Sequence, residues 1–187
     1  LTGSLTLSAA NTYTGTTTIS NGTVVAANST AFGTTAGATS VAFGAALNVS
    51  GTNLSIAEPI TVSGSGISSS GVIRNVSTAG ADTNSITGAV TLGAASTIAS
   101  DDGTLTFNVV SGSAFGAAAG SYALTFTGSG NVVVSDPIAT PIGALTKSGS
   151  GSLTFGAANT YTSTTAVSAG SLVLSGAGSV PDDSAMT

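Results

Sequence analysis

The stretch "LTLSAANTYTGTTTISNGTVV", residues 5–25, contains no charged residue, no histidine and no cysteine. It opens with Leu5-Thr6-Leu7, and in a β-strand this order places both leucines on one face and the threonine on the other. The Asn-Thr-Tyr-Thr at 11–14 interrupts the alternation, and a second alternating segment follows it. The stretch therefore predicts short strands that are joined through a polar corner.

The same apolar–threonine–apolar pattern recurs along the chain. Glu, Lys, Arg, Gln and Met, which favour helices, are nearly absent, while Thr, Ser, Val, Ile and Gly are abundant. Clusters of Gly, Ser, Ala and Asn separate the alternating segments and supply turns. We therefore predict an all-β protein of many short strands. The other copies of the pattern are Ile60–Val62, Val90–Leu92, Leu105–Phe107, Leu124–Phe126 and Leu153–Phe155.

The sequence also repeats itself at long range. Residues 3–26 align with residues 151–174, and 15 of these 24 aligned positions are identical. The two copies lie 148 residues apart, as the numbering of the aligned segments shows. We expect residues 1–187 to form a single segment that is cut from a longer tandem array. It would contain one full long repeat, about 1–148, and the start of the next, 149–187.

A shorter period lies inside the long one. The phrase "ALTFTGSG" at 123–130 returns as "ALTKSGSG" at 144–151, and "ITVSGSG" at 60–66 is a third version of it. The alternating segment that starts at Leu105 returns at Leu124, after a similar interval. A recurrence of roughly 19–21 residues, built from strands and small-residue turns, is typical of one coil of a parallel β-helix, or β-solenoid.

An antiparallel β-sandwich or barrel is the main alternative fold. Such folds also contain short alternating strands with frequent turns. Tight Asn-Gly hairpin turns are scarce here, however, and Asn21-Gly22 is the one clear example. Near-identical phrases at the spacing of one coil are not required by a sandwich. The pattern therefore favours the parallel β-helix.

The two Asn-Thr-Tyr-Thr segments and their surroundings resemble the passenger-associated repeat of autotransporter proteins, also called the autotransporter-associated β-strand repeat. The second copy departs from the family pattern at Ser163, where glycine is preferred. The positions that we assign to the structural repeat motif are Asn11, Thr12, Tyr13, Thr14 and Gly22 in the first copy and Asn159, Thr160, Tyr161, Thr162 and Gly170 in the second.

This resemblance implies a right-handed β-helix and a secreted or surface-displayed protein of a Gram-negative bacterium. The implied role is structural: a stalk or extracellular fibre for adhesion, aggregation or matrix formation. The expected partners are neighbouring repeats or chains, joined end to end or laterally, and glycans or proteins of a host or cell surface. The implied location is extracellular, on the bacterial cell surface.

Composition excludes several other classes of function. Charged residues make up 5% of the chain, the net charge is −5, and Arg74 and Lys147 are the only cations. Two cations cannot form the basic face that nucleic-acid binding requires. No apolar run approaches the roughly 18 residues of a transmembrane segment, and the first residues lack the regions of a signal peptide. The absence of cysteine excludes disulfides and thiolate metal sites.

The carboxylates are the only candidates for catalysis, and the alternative function they raise is that of a polysaccharide-acting β-helix enzyme. Adjacent residues on a strand point to opposite faces, and Asp101-Asp102-Gly103 is typical of a turn, although the two acids could hold a loose Ca²⁺. We therefore expect no enzymatic activity, no cofactor and no metal site. The acids are Glu58, Asp82, Asp101, Asp102, Asp136, Asp182 and Asp183.

Rows of threonine raise a second alternative, an ice-binding β-solenoid. The threonines stand singly between apolar residues, and Thr-x-Thr copies do not recur in every coil, which disfavours it. For the motif itself we expect Asn11 and Asn159 to be turn residues that use left-handed geometry and bond to local backbone. We expect Tyr13 and Tyr161 to pack beside the turn with the hydroxyl at its edge.

Overall fold

The computed structural model describes residues 3–76, 82–139 and 141–181. Within these residues the chain forms eighteen β-strands and one 3₁₀ turn at Ile67–Ser69, and every strand pair is parallel. The strands are β1 Ser4–Leu7, β2 Thr17–Ile19, β3 Gly22–Ala26, β4 Thr39–Val41, β5 Ala45–Val49, β6 Ser55–Ile56, β7 Ile60–Gly64, β8 Ile73–Asn75, β9 Thr83–Ile86, β10 Val90–Ser100, β11 Thr104–Phe107, β12 Phe115–Ala117, β13 Tyr122–Thr127, β14 Asn131–Val134, β15 Ile142–Lys147, β16 Ser152–Phe155, β17 Thr165–Val167 and β18 Ser171–Leu174.

The strands lie on three faces, which the chain visits in a fixed order. The first face contains β2, β4, β7, the start of β10 and β12; the second contains β1, β3, β5, β8, the end of β10, β13, β15 and β17. The third face contains β6, β9, β11, β14, β16 and β18. Because β10 bends from the first face to the second, those two faces form one continuous 12-stranded sheet, and the third is a separate 6-stranded sheet.

This arrangement is a parallel β-solenoid of about seven turns and about 22 residues per coil. The predicted all-β parallel fold is confirmed, with coils slightly longer on average than the sequence period predicts. Individual coils differ because insertions at corners do not disturb the ladders. The coil that joins Ser4 to its partner Thr23 is short, whereas the coil that joins Ile60 to its partner Val90 is longer and includes the 3₁₀ turn.

The core is a set of columns in which equivalent side chains of successive coils stack on one another. On the second face Ile73, Ile98 and Phe126 are paired in register, and all three are fully buried. The rings of Phe107 and Phe126 each lie against Phe115, with centroids 4.6 and 5.5 Å away respectively. Burial of these apolar columns, about 25 cal/mol per Å², is the main force that stabilises the rod.

Threonines occupy the outward positions of the same strands, as the alternation predicts. Thr61 pairs with Thr91 on the first face, and Thr125 pairs with Thr146 on the second. All four are half-buried by their neighbours, so hydroxyl groups stack along these parts of the outward columns.

The two long-repeat copies form matching strands on different faces. Strands β1 and β2 of the first copy correspond to β16 and β17 of the second, with identical strand lengths in each pair. β1 nevertheless lies on the second face and β16 on the third, while β2 lies on the first and β17 on the second. Along the second face, β15 lies six coils after β1. The chain then passes from β15 to the third face, where β16 lies. One long repeat therefore advances the motif by six coils and a third.

Candidate functional site

Asn159 links three successive coils through its side chain. Its Oδ1 atom accepts a hydrogen bond from the backbone N–H of Ile138 at 2.8 Å, and its Nδ2 atom donates to the carbonyl of Ser179 at 2.6 Å. The side chain is buried. Because the strand ladder is interrupted at this corner, the amide satisfies backbone groups that would otherwise lack partners.

Asn11 makes the corresponding contacts on one side only. Its Nδ2 atom donates to the carbonyl of Ala31 in the following coil at 2.8 Å, and its backbone N–H donates to Thr30 at 3.1 Å. The local contact of Nδ2 with the Ala9 carbonyl is longer, at 3.4 Å. Asn11 and Asn159 are absent from the described residues with positive φ. The expected left-handed geometry is therefore wrong. The expected local bond is present at Asn11, but the shorter amide contacts of both asparagines lie about one coil away in sequence.

The two tyrosines pack beside the corner, as expected. The Tyr161 hydroxyl lies 2.8 Å from Thr165 Oγ1, and the Tyr13 hydroxyl lies 2.7 Å from Thr17 Oγ1. Tyr161 is completely buried, whereas Tyr13 is 39% exposed. Burial raises the pKa of Tyr161, and the hydrogen bond with Thr165 offsets part of that rise.

The threonines of the motif point outward. Thr12, Thr14, Thr160 and Thr162 are all exposed. The backbone N–H of Thr160 donates to the Ile138 carbonyl at 3.1 Å, which holds the corner against the preceding coil. The surface that the motif presents therefore consists of uncharged hydroxyl groups.

The motif glycines are required by a close approach between coils. Gly22 and Gly170 have φ values of +75° and +73°. A Cβ atom would lie 2.5 Å from the Gly3 carbonyl oxygen at Gly22, and 2.2 Å from that of Gly151 at Gly170. A side chain would both strain the backbone and collide with the previous coil.

The carboxylates are distributed along the rod and serve local roles. Asp102 accepts a hydrogen bond from the N–H of Gly103 at 2.8 Å, in the predicted turn, and Asp136 accepts one from Val109 at 2.7 Å. Asp101 forms an ion pair with Arg74. Among the described residues there is no group of three or more His, Cys, Asp or Glu that could hold a metal ion. Asp182 and Asp183 lie outside the described residues.

Lys147 is a buried cation that the sequence analysis left without a role. It pairs with Phe126 in the ladder and occupies the same inward position. Its Nζ atom donates to the carbonyls of Ser148, Gly149 (2.8 Å) and Ala169 (3.4 Å). Burial lowers the pKa of Lys147. The sequence contains a signal for this inward position: "ALTKSGSG" has lysine where its counterpart "ALTFTGSG" has phenylalanine.

A buried asparagine pair forms a second polar cluster that the sequence did not reveal. Asn84 Nδ2 donates to Asn75 Oδ1 at 2.9 Å and to the Gly51 carbonyl at 2.8 Å, and its Oδ1 accepts from Leu54 N–H at 2.8 Å. Asn75 in turn donates to the Asp102 carbonyl at 2.7 Å. Both amides are engaged with protein groups, so this cluster joins coils.

These features define a parallel β-solenoid whose coils are joined through repeated asparagine corners. A family model described as passenger-associated-transport-repeat matches residues 2–26 and 145–174. The two matches contain both copies of the motif, and the resemblance to the autotransporter passenger repeat is confirmed. Together with the β-solenoid fold, these two matches support an autotransporter passenger repeat module.

Two further comparisons, with curated proteins and with solved structures, found no match. In the part of the chain that the structure describes, no helix has the length and apolar character needed to span a membrane.

Proposed function

We propose that the chain is a structural module of a stalk or extracellular fibre on a bacterial surface, used in adhesion, aggregation or matrix formation. The observation that carries the proposal is the continuous stacking of parallel coils, in which β1 and β18 each have one unpaired edge within the described residues. The passenger repeat family supports an extracellular location. Uncharged outward threonines provide a surface for glycans or proteins.

Among the residues that the structure describes, the outer edge of β1 has backbone hydrogen-bonding groups without a strand partner. Thr23 N–H donates to the Gly3 carbonyl and Ala27 N–H donates to the Leu7 carbonyl, so alternate residues of β1 face β3. The backbone groups of Thr6 then point away from β3, since hydrogen-bonding direction alternates along a strand. Exposed apolar side chains accompany both ends: Leu5 is 57% exposed and Leu174 51%. Unpaired edges of this kind favour pairing with another chain.

We infer end-to-end association of neighbouring repeats from these edges. In a tandem array with the same long period, the motif would also move to the next face with each repeat. Three successive repeats would then present it on all three faces, which distributes identical corners around a fibre. Lateral contacts would involve the neutral threonine and serine columns.

Sedimentation of the full chain and display on cells test the proposal. Thr6→Pro removes an N–H that β3 does not use, and it blocks the addition of a strand to this edge. We expect association of the chain to rise with concentration, and Thr6→Pro to weaken it about tenfold or more, since several ladder hydrogen bonds are lost. Cells that display Thr6→Pro should aggregate less than cells that display the Thr6→Ala control.

A wild-type chain that stays monomeric at high concentration would contradict end-to-end association. If displayed wild-type chain and Thr6→Pro aggregated cells equally, the edge would have no part in adhesion. Equal loss in Thr6→Ala and Thr6→Pro would assign the effect to the threonine side chain.

A further inference from the structure

A groove of about 320 Å³ lies at the end of the rod that β1 forms. It is lined mainly by residues 3–5, at the start of β1, and by residues 18–21, at the end of β2 and the corner that follows. Leu5 lines the groove from an inward position, because it pairs with Val24 in the column that leads to the fully buried Leu47. Leu5 is nevertheless 57% exposed. Among the described residues, the groove is therefore an uncovered part of the apolar core.

The second copy of the repeat shows how the same surface is covered. Residues 151–153 and 166–169 correspond to the two segments that line the groove, 148 positions further along the chain. The strands that carry them have the same lengths in both copies. Leu153, the counterpart of Leu5, is completely buried. The two copies differ because a preceding coil, which contains β14 and β15, covers the second one.

The covering coil contacts the second copy through two parallel ladders. Val133 of β14 pairs with Thr154 of β16, and β15 pairs with β17 in the same parallel sense. In the first copy Thr6 takes the place of Thr154. The N–H of Thr6 points away from β3, since hydrogen-bonding direction alternates along a strand. The free edge of β1 therefore offers the same ladder to a coil of this kind.

Two side-chain contacts of the covering coil use residues that are identical in the first copy. Asn131 Oδ1 accepts hydrogen bonds from the N–H of Ser152 at 3.1 Å and from its hydroxyl at 2.7 Å. Asn159 Oδ1 accepts one from the N–H of Ile138 at 2.8 Å. The first copy also has serine at position 4 and asparagine at position 11. Among the described residues, the amide of Asn11 uses its Nδ2 atom alone, so its Oδ1 atom can accept the same N–H.

Lys147 of the covering coil lies against the residues that correspond to the groove. Its carbonyl accepts a hydrogen bond from the N–H of Ser168 at 2.8 Å, and its Nζ atom donates to the carbonyl of Ala169 at 3.4 Å. A Cβ atom at Gly170 would lie 2.8 Å from the same Nζ atom. The counterparts of these three residues are residues 20–22, and the first two of them line the groove. The groove therefore corresponds to the surroundings of Lys147 in the second copy.

We propose that the β1 end binds a coil with the sequence of residues 131–147, supplied by a neighbouring repeat, in the register of the second copy. The Lys147 side chain of that coil enters the groove. This inference rests on the end-to-end association proposed above and names the segment that takes part in it. Because β16 lies on the third face and β1 on the second, the neighbouring repeat is rotated by one face. The alternative occupant is the opposite end of an intact second chain, β17 and β18, which would stack on β1 without rotation.

Binding of fluorescent peptides to the full chain tests the identity of the segment. The measurement is made at a concentration at which sedimentation shows a monomer. A peptide of residues 131–147 should bind saturably, and a scrambled peptide and a peptide of residues 165–178 should bind about tenfold or more weakly. Lys147→Ala in the first peptide should weaken binding by a similar factor, because the buried stem and a hydrogen bond of the lysine are lost.

Disulfide formation measures the register, since the chain itself has no cysteine. The Thr6→Cys chain should form a disulfide with a peptide that carries Val133→Cys, because the two Cα atoms would lie about 4.8 Å apart across the ladder. A peptide with Ser135→Cys is the matched control. Its Cα atom, two residues further along, would lie about 8 Å from that of residue 6, too far for a disulfide. We expect the first pair to react at least about tenfold faster, and equal rates would overturn the proposed register.

The binding results separate this inference from the proposed function. Absence of binding by the 131–147 peptide, or equal binding by the scrambled peptide, would overturn the inference. Tighter binding by the 165–178 peptide would assign the surface to the opposite end of an intact chain, and equal binding by the Lys147→Ala peptide would exclude the lysine from the groove. Sedimentation of the wild type and of Thr6→Pro measures association independently. Association that persists without binding of the 131–147 peptide would refute this inference alone, whereas loss of both would refute the end-to-end model as well.

Discussion

The two copies of the Asn-Thr-Tyr-Thr repeat have closely similar sequences and different burial. Tyr161 and Leu153 are fully buried, whereas their counterparts Tyr13 and Leu5 are 39% and 57% exposed. The difference follows from their place in the rod. β16 has β14 on its preceding side, whereas β1 has a partner only on its following side, β3, within the described residues.

In the last strand of each copy the difference in burial is reversed, and the second copy is the more exposed one. Val173 and Leu174 of β18 are 42% and 51% exposed, whereas Ala26 of β3 is buried because β5 packs beside it. Each copy is therefore uncovered on the side that lacks a neighbouring coil. The comparison indicates that burial is provided by adjacent coils and not by the motif, as expected of a repeat protein in which each unit contacts only its neighbours.

The two tyrosines should show the largest difference between the copies in the free energy of unfolding that is lost on substitution. Tyr161→Ala removes a fully buried ring and should lower the free energy of unfolding by about 3–5 kcal/mol, by analogy with other buried aromatic residues. Tyr13→Ala removes a partly exposed ring and should cost about 1 kcal/mol. Urea unfolding of both variants measures the difference. Equal losses would contradict the role assigned to the preceding coil.

For the leucines we expect a smaller difference, again with the greater loss of stability in the second copy. Leu153→Ala creates a cavity in the core and should cost about 2–4 kcal/mol, whereas Leu5→Ala should cost less than about 1 kcal/mol. The chemical change is identical, so each variant is the control for the other. Thermal unfolding at matched, low protein concentration is the appropriate measurement, since association at the β1 edge would add stability to the wild type.

The asparagines differ in the number of coils that they join. Asn159→Ala leaves both the Ile138 N–H and the Ser179 carbonyl without the side-chain partner and should cost about 2 kcal/mol. Asn11→Ala removes the bond to the Ala31 carbonyl and the longer, exposed contact with the Ala9 carbonyl, and should cost about 1 kcal/mol. Chemical denaturation of the two variants compares them. A larger loss for Asn11→Ala would mean that the inter-coil contacts of Asn159 contribute little.

The smallest expected effect concerns Lys147, which lies beside the second copy. Its folded-state pKa is lowered from 10.5, so at alkaline pH the unfolded chain binds more protons than the folded one. The free energy of unfolding should therefore rise as pH increases from the lowered pKa towards 10.5. Lys147→Met should remove this rise. Because Tyr161 titrates nearby with the opposite sign, the wild type must be compared with Lys147→Met across pH 8–11. If the difference in unfolding free energy between the wild type and Lys147→Met stayed constant across pH 8–11, the lowered pKa of Lys147 would be contradicted.

The strands of this fold could be predicted from local pattern, and the contacts between coils could not. Alternation around Leu105-Thr106-Phe107 matches β11, in which both apolar residues are buried. Asn159, in contrast, finds its partners Ile138 and Ser179 one coil away on either side, so they depend on the length of each coil. That length varies with insertions at corners, which leave no regular spacing in the sequence.

The same reasoning explains why the burial of Glu58 was missed. Glu58-Pro59 has the sequence of an ordinary coil corner, and only the structure shows that the Glu58 side chain is buried. The face on which each motif copy lies could not be predicted from the sequence either. It depends on the total length of six intervening coils, and an internal insertion of a few residues changes that length without altering any local phrase.

Native-state hydrogen exchange tests the central claim most directly, because matched amides exist in both copies. Gly156 N–H donates to Val134 at 2.8 Å and Thr160 N–H to Ile138 at 3.1 Å, both in the preceding coil. Their counterparts, Ser8 and Thr12, have no such backbone acceptor among the described residues. In monomeric chain we predict exchange at Gly156 and Thr160 at least about 100-fold slower than at Ser8 and Thr12. Equal protection of the two pairs in the monomer would contradict the claim that a neighbouring coil, and not the motif, provides burial.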